Sequence, residues 1–156
     1  MTGEVAGYIT LGVAYAAVGM AAIGSAIGTG IAGQAAVGAW KKCYQQGKAA
    51  PFLLLALVGA PLSQTIYSMI MMMIIKGKML VNGAIVHPEY SGLFIVIALL
   101  GGLAQMISAI YQGKAGAGAC VAFAETDQGF ANYLMVLGIV ETCAIFALVF
   151  SLMMMP

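Results

Sequence analysis

No arginine occurs in the 156-residue chain, and only 7% of its residues are charged, where a soluble domain carries about a quarter. Six lysines against five acidic residues leave a net charge of +1. With so little positive charge the chain has neither a nucleic-acid footprint nor a polybasic cluster for anionic lipid headgroups. Histidine occurs once, at His87, beside Pro88 in a polar stretch, so no nucleophile–base pair or metal cluster can be assembled from sequence and an enzyme is disfavoured. Cys43, Cys120 and Cys143 are odd in number and lack metal-ligand spacing, which points to free packed thiols. The first residues, Met1-Thr2-Gly3-Glu4, lack the basic region of a cleaved signal, so the first helix is expected to be retained.

Apolar residues make up 63% of the chain, and mean hydropathy is +1.03. The expected fold is an all-α membrane protein. Each spanning helix needs about 20 residues, so the length accommodates four helices and no catalytic head. The apolar stretches place them at about residues 6–39, 50–75, 92–123 and 129–155. The first exceeds what a bilayer requires by about half and should project beyond it. It is dense in small residues, Gly24 and Gly28 forming one small-xxx-small pair, as suits a helix surrounded by helices. Gly28-Thr29-Gly30-Ile31-Ala32-Gly33 matches the letters of a dinucleotide fingerprint, but it has neither the strand-to-helix turn nor the acidic residue that motif needs, so it reads as helix packing.

A polar connection, Lys41-Lys42-Cys43-Tyr44-Gln45-Gln46-Gly47-Lys48, follows. Its lysines assign residues 41–48, and with them the acidic 124–128 connection at the same end, to the cytoplasm. Lys76 and Lys78, placed in the connection from 76 to about 90, weaken that asymmetry. The second helix is bulky, with Leu53 to Leu55, Leu57, Ile70, and Met69 with Met71 to Met73, a surface suited to lipid; its methionines have no neighbouring Cys or His and read as apolar filling. The third repeats the small-residue character of the first, and the fourth is bulky again.

Glu141 is the only carboxylate within any of these stretches. A carboxylate at mid-bilayer costs at least ~2.5–3.5 kcal/mol on insertion scales, so it is read as an ion, proton or substrate site with partners on other helices. The second helix supplies candidates in Ala60-Pro61-Leu62-Ser63-Gln64-Thr65-Ile66-Tyr67. Pro61 leaves the Leu57 carbonyl without its helical donor, and such broken backbone persists only against protein or a polar cavity. Ser63, Gln64 and Tyr67 can share one helix face. Counted from one membrane face, Gln112 lies 11 residues before Phe123, Glu141 lies 12 after Gly129, and Ser63 and Gln64 lie 13 and 14 after Ala50. At ~1.5 Å per residue these depths agree within about 5 Å. A singly charged set of oxygens suits a hard monovalent cation, either sodium or a proton. Gln64 and Gln112 favour sodium, because a proton carrier needs fewer oxygens. Burial in turn favours a neutral, protonated carboxyl, so a proton carrier stays open.

The two halves also resemble each other. Ser25-Ala26-Ile27 recurs as Ser108-Ala109-Ile110, and residues 59–67 align with 138–146, setting Leu62 against Glu141. The chain therefore reads as two duplicated helical hairpins, residues 1–78 and 79–156, of which only the second kept an acid.

Together with Tyr111-Gln112-Gly113-Lys114 and Val140-Glu141-Thr142, these features give the chain, over almost its full length, a resemblance to the sixteen-kilodalton proteolipid of V-type and archaeal-type rotary ATPases, the subunit of the membrane rotor ring. That resemblance implies a homo-oligomeric ring with the first and third helices inside and the second and fourth facing lipid. It implies partners in a membrane stator subunit and a central-stalk subunit, the latter at residues 41–48, and no organic cofactor. Glu141 would bind and release the transported ion. In sodium-transporting members the matching positions imply ligands from Glu141, Gln112, Gln64, Ser63 and the Ala60 carbonyl, with Tyr67 hydrogen-bonded to the carboxylate. Ser63 stands where such members carry Thr, which keeps the hydroxyl. A proton-carrying ring of the same class is the nearest alternative, and a small proton-coupled secondary transporter is the alternative from another class.

Overall fold

The apolar runs form helices that outlast them. In the computed structural model, which describes residues 2–156, α1 spans Gly3–Gln45, and at about 1.5 Å per residue it runs well past a ~30 Å hydrocarbon core. Lys41 to Gln45 therefore continue the helix instead of forming the expected connection, which is confined to the residues before α2 (Leu54–Gly59). A 3-10 turn at Ala60–Leu62 joins α2 to α3 (Ser63–Met79). Lys76 and Lys78 thus lie in the last turn of α3, where cations complement the helix dipole, and not in the loop where they were expected.

The following connection holds an unexpected two-stranded antiparallel hairpin, β1 (Leu80–Val81) with β2 (Ala84–Ile85). Asn82 and Gly83 between the strands both have positive φ, the conformation a tight hairpin turn demands. A 3-10 turn at Pro88–Tyr90 leads to α4 (Ser91–Thr126), and α5 (Phe130–Met153) completes the chain. Helix content and length define an all-α membrane protein with four segments long and apolar enough to span a bilayer, α2 and α3 together making the second.

α1 and α4 run parallel and pack on each other along their lengths. Their small residues make this possible: a Cβ on Gly113 would lie 2.2 Å from the Gly28 carbonyl oxygen, and one on Gly28 would lie 2.2 Å from that of Ala109. No side chain larger than hydrogen fits at either position. Of the glycines that match a nucleotide fingerprint in letters, Gly28 is thus a helix-packing residue, a Cβ on Gly33 would make ordinary contact with Val58 at 3.8 Å, and Gly30 has open space around it. α3 lies against both α1 and α4, and α5 packs on α4 with most of its outer surface uncovered.

Two apolar clusters fill the interior, one around Met71, Ile75, Phe94 and Ala98, the other around Leu54, Leu57, Cys120 and Phe123. The bulky second segment is therefore two-sided: Leu54, Leu57 and Met71, expected on a lipid-suited surface, are buried in these clusters, while Leu53 and Leu55 are exposed. Met71 is buried while Met69 and Met73 are exposed, as expected if the run fills apolar space on one side and meets lipid on the other. Between the two clusters lies the polar layer.

Connections 46–53 and 127–129 fall at one end of the bundle, where Lys42 Nζ meets Glu125 Oε1 at 2.6 Å. The hairpin and both chain ends gather at the other, where Lys78 Nζ donates to the Pro156 oxygen. Glu125 itself belongs to α4, so the acidic connection is shorter than the sequence implied. His87 is exposed and pairs with Glu89 at 3.1 Å, and all three cysteines are free.

Candidate ion-binding site

Pro61 sets the local geometry of one side of the site. It has no N–H for the Leu57 carbonyl, and the backbone tightens into the 3-10 turn at Ala60–Leu62, where Ser63 N–H donates to the Ala60 oxygen. The freed Leu57 carbonyl turns toward α4, so that a Cβ on Gly116 would lie 2.9 Å from it. Glycine at 116 leaves room for that oxygen. The break in the helix is covered by protein, as backbone at this depth requires.

Past the turn, Ser63 Oγ lies 3.1 Å from the Ala60 carbonyl oxygen and 3.3 Å from Gln64 Oε1. Gln64 is wholly buried, and its Nε2 donates to Gln112 Oε1 at 2.8 Å and to Ser108 Oγ at 3.4 Å. Gln112, also wholly buried, donates from Nε2 to Glu141 Oε2 at 3.2 Å and to the Leu137 carbonyl at 3.1 Å. Tyr67 donates its hydroxyl to the other carboxylate oxygen, Glu141 Oε1, at 2.6 Å. A single hydrogen-bonded chain thus runs from Ala60 through Ser63, Gln64 and Gln112 to Glu141 and Tyr67. All six residues singled out in the sequence lie in it.

The arrangement is one-sided in charge. Glu141 is partly exposed at the bundle surface, and among the described residues no basic side chain forms an ion pair with it. Two neutral donors hold its oxygens, while Ser63 Oγ, Gln64 Oε1, Gln112 Oε1 and the Ala60 carbonyl supply neutral oxygens along the chain. Such a set can orient a carboxylate without neutralising it. Among the described residues no group of three or more His, Cys, Asp or Glu could hold a transition metal.

Three participants escaped the sequence reading. Ser108 Oγ contacts the Val140 carbonyl at 3.3 Å, Gln105 Nε2 donates to the Ala144 carbonyl at 2.9 Å, and the Leu137 carbonyl receives Gln112. Gln105, Ser108 and Gln112 form one helical stripe, spaced three and four residues apart, which meets carbonyls spaced three and four apart on α5. That spacing was visible in the sequence as a signal. Thr142, aligned beside the acid, instead donates to the Ile139 carbonyl of its own helix.

A four-helix membrane fold carrying one carboxylate in a layer of neutral oxygens defines a class of small membrane proteins. Within it, residues 95–154 match the family model that describes the C subunit of ATP synthase. The matched stretch covers most of α4 and α5, including Gln112 and Glu141, and leaves out the Ala60 to Tyr67 segment. No curated protein matches the chain.

Proposed function

We propose that the chain is the ion-carrying subunit of a membrane rotor ring in a V-type, sodium-translocating ATPase, itself non-catalytic. Glu141 takes up a cation at mid-membrane and releases it as the ring turns past a stator subunit. The observation that carries this reading is the Glu141 carboxylate held by Tyr67 and Gln112, with no basic partner among the described residues. An ionised acid inside a bilayer must be neutralised, and here only a mobile cation can do it. The similarity of residues 95–154 to the C subunit of ATP synthase supports the same reading.

The neutral oxygens favour sodium as cargo. Glu141, Gln112, Gln64, Ser63 and the Ala60 carbonyl supply ligands once the two amides present Oε1, a rotation about a broad terminal torsion. Tyr67 keeps the carboxylate oriented. A proton is the second reading: Gln112 turns Nε2, not Oε1, toward Glu141, so its amide oxygen presents no ligand beside the carboxylate, and a proton needs none. Further copies of the chain complete the ring, the bulky faces of α3 and α5 meet lipid, and a central-stalk subunit docks at residues 41–48. That end, with residues 124–128, lies in the cytoplasm.

Reaction of Glu141 with a hydrophobic carbodiimide in the purified assembly, followed across pH with and without sodium, tests the proposal. The reagent consumes the protonated acid, so sodium that occupies the site slows labelling at fixed pH. Labelling that follows pH and ignores sodium assigns the ring to protons. No labelling at any pH removes Glu141 from ion exchange.

A further inference from the structure

Two buried polar atoms beside the Glu141 network have no partner in the protein: Ser68 Oγ and Gln105 Oε1. Ser68 is 0% exposed and Gln105 is 1% exposed. The packing of α3 on α4 puts them at one level. Gln64 reaches Ser108 and Gln112, while about two turns further along the same face of α3 the Met71 sulfur stands 2.7 Å from the position of a Cβ on Gly101. The helices are antiparallel, so Ser68, one turn past Gln64 and between these two contacts, falls opposite the turn that carries Gln105.

We propose that Ser68 and Gln105 form a second, uncharged polar site, one helical turn from Glu141 toward the β1–β2 end, that takes a buried water molecule. A hydroxyl and an amide oxygen at one level, both shut off from solvent, match the partners of internal waters, which bridge polar groups the protein leaves unsatisfied. A cation is excluded by charge, since neither group is ionisable and burying an unpaired ion is far costlier than burying water. The water donates to Gln105 Oε1 and accepts from, or donates to, Ser68 Oγ. With its oxygen so held, the Gln105 amide keeps Nε2 on the Ala144 carbonyl, three residues past Glu141. Gln105 is thereby a positioning residue: it fixes the rotation of α5 at the carboxylate.

The site follows from the packing alone, whereas its effect on Glu141 rests on the ion-carrying reading. The test is a structure of the purified assembly at a resolution that shows ordered water, for the native chain and for Ser68→Ala. A density peak about 3 Å from both Ser68 Oγ and Gln105 Oε1, absent in Ser68→Ala, is the expected result. A direct Ser68–Gln105 bond, or a Ser68 hydroxyl bonded to its own helix with no peak, overturns the site. Gln105→Met then tests the positioning. Its carbodiimide labelling rate at Glu141 should change about three- to tenfold at fixed pH and sodium, the scale of one neutral hydrogen bond. A labelling profile identical to the native one overturns the positioning role. If Glu141 is not labelled even in the native chain, the ion-carrying reading fails instead, and the density still decides the water.

Discussion

Tyr67 sits where two magnitudes disagree. A hydrogen bond to an ionised group contributes about 1.5–3 kcal/mol in folded proteins, whereas side-chain bonds between membrane helices run at about 0.6–2 kcal/mol because the separated helices find other partners. The 2.6 Å contact from the Tyr67 hydroxyl to Glu141 Oε1 is short and charge-assisted, which favours the overlap of the ranges, about 1.5–2 kcal/mol. Tyr67→Phe should therefore raise the sodium concentration that half-protects Glu141 from carbodiimide by roughly 10–30-fold while leaving the fold intact. Glu141→Gln, nearly isosteric but unable to cycle a charge, is the control: it should assemble normally and transport nothing. An unchanged protection midpoint in Tyr67→Phe would reduce the phenol to packing. At this scale the sequence was informative because helix periodicity puts Ser63, Gln64 and Tyr67 together, and counting residues from one membrane face puts Gln112 and Glu141 at their depth. It could not reveal that Gln112 joins the two halves, giving one amide proton to Glu141 and receiving another from Gln64. That depends on side-chain torsions, which spacing does not encode. Gln105 and Ser108 were missed for a related reason: their partners are carbonyls on α5, and every residue has a carbonyl.

At the scale of elements, hydropathy located the four spans but not their ends. Apolar composition stops at the membrane edge, while helical hydrogen bonding continues through Lys41 to Gln45 and through Lys76 to Met79. The second span starts later than its composition suggests because Pro51 opens a turn before Leu54. Asn82-Gly83 is a readable hairpin signal, but the apolar runs on either side are too short to stand out as strands in a polar connection. The glycines of α1 and α4 carry the sharpest expectation here. Gly113→Ala places a methyl group 2.2 Å from the Gly28 carbonyl, so α1 and α4 must separate. Overpacking of this kind costs about 1–3 kcal/mol. Gly118, exposed on the same helix with nothing within 4 Å of its Cβ position, is the matched control. There alanine gains up to about 1 kcal/mol of helix propensity. Thermal unfolding in detergent should show Gly113→Ala below the native protein and Gly118→Ala at or above it. Equal midpoints would mean that the α1–α4 seam tolerates displacement and that its close approach is not what holds the bundle.

The molecule as a whole leaves one face of α1 without a neighbour. Gly12, Gly19 and Gly30 are exposed, and nothing within the chain comes within 4 Å of a Cβ at any of them. Their spacings of 7 and 11 residues return to the same side of a helix within about 20° at 3.6 residues per turn, so they form one strip along the side of α1 turned away from α4. A single copy gives no reason for glycine there, since each costs roughly 0.5–1 kcal/mol relative to alanine in a helix. The proposed ring supplies a reason: a second copy whose backbone approaches as closely as α4 does on the opposite side. Gly19→Leu should then leave helix content by circular dichroism unchanged and convert a high-order oligomer in detergent, weighed by native mass spectrometry, into single subunits. Leu at Gly59, a position with similarly open surroundings on the bulky second span, should not. If Gly19→Leu assembles as the native chain does, the strip faces lipid or the lumen, and the contacts that close the ring must be sought on α3 and α5. A native chain that is monomeric in every detergent would remove the rotor itself, and with it the reason for placing an exchangeable ion at Glu141.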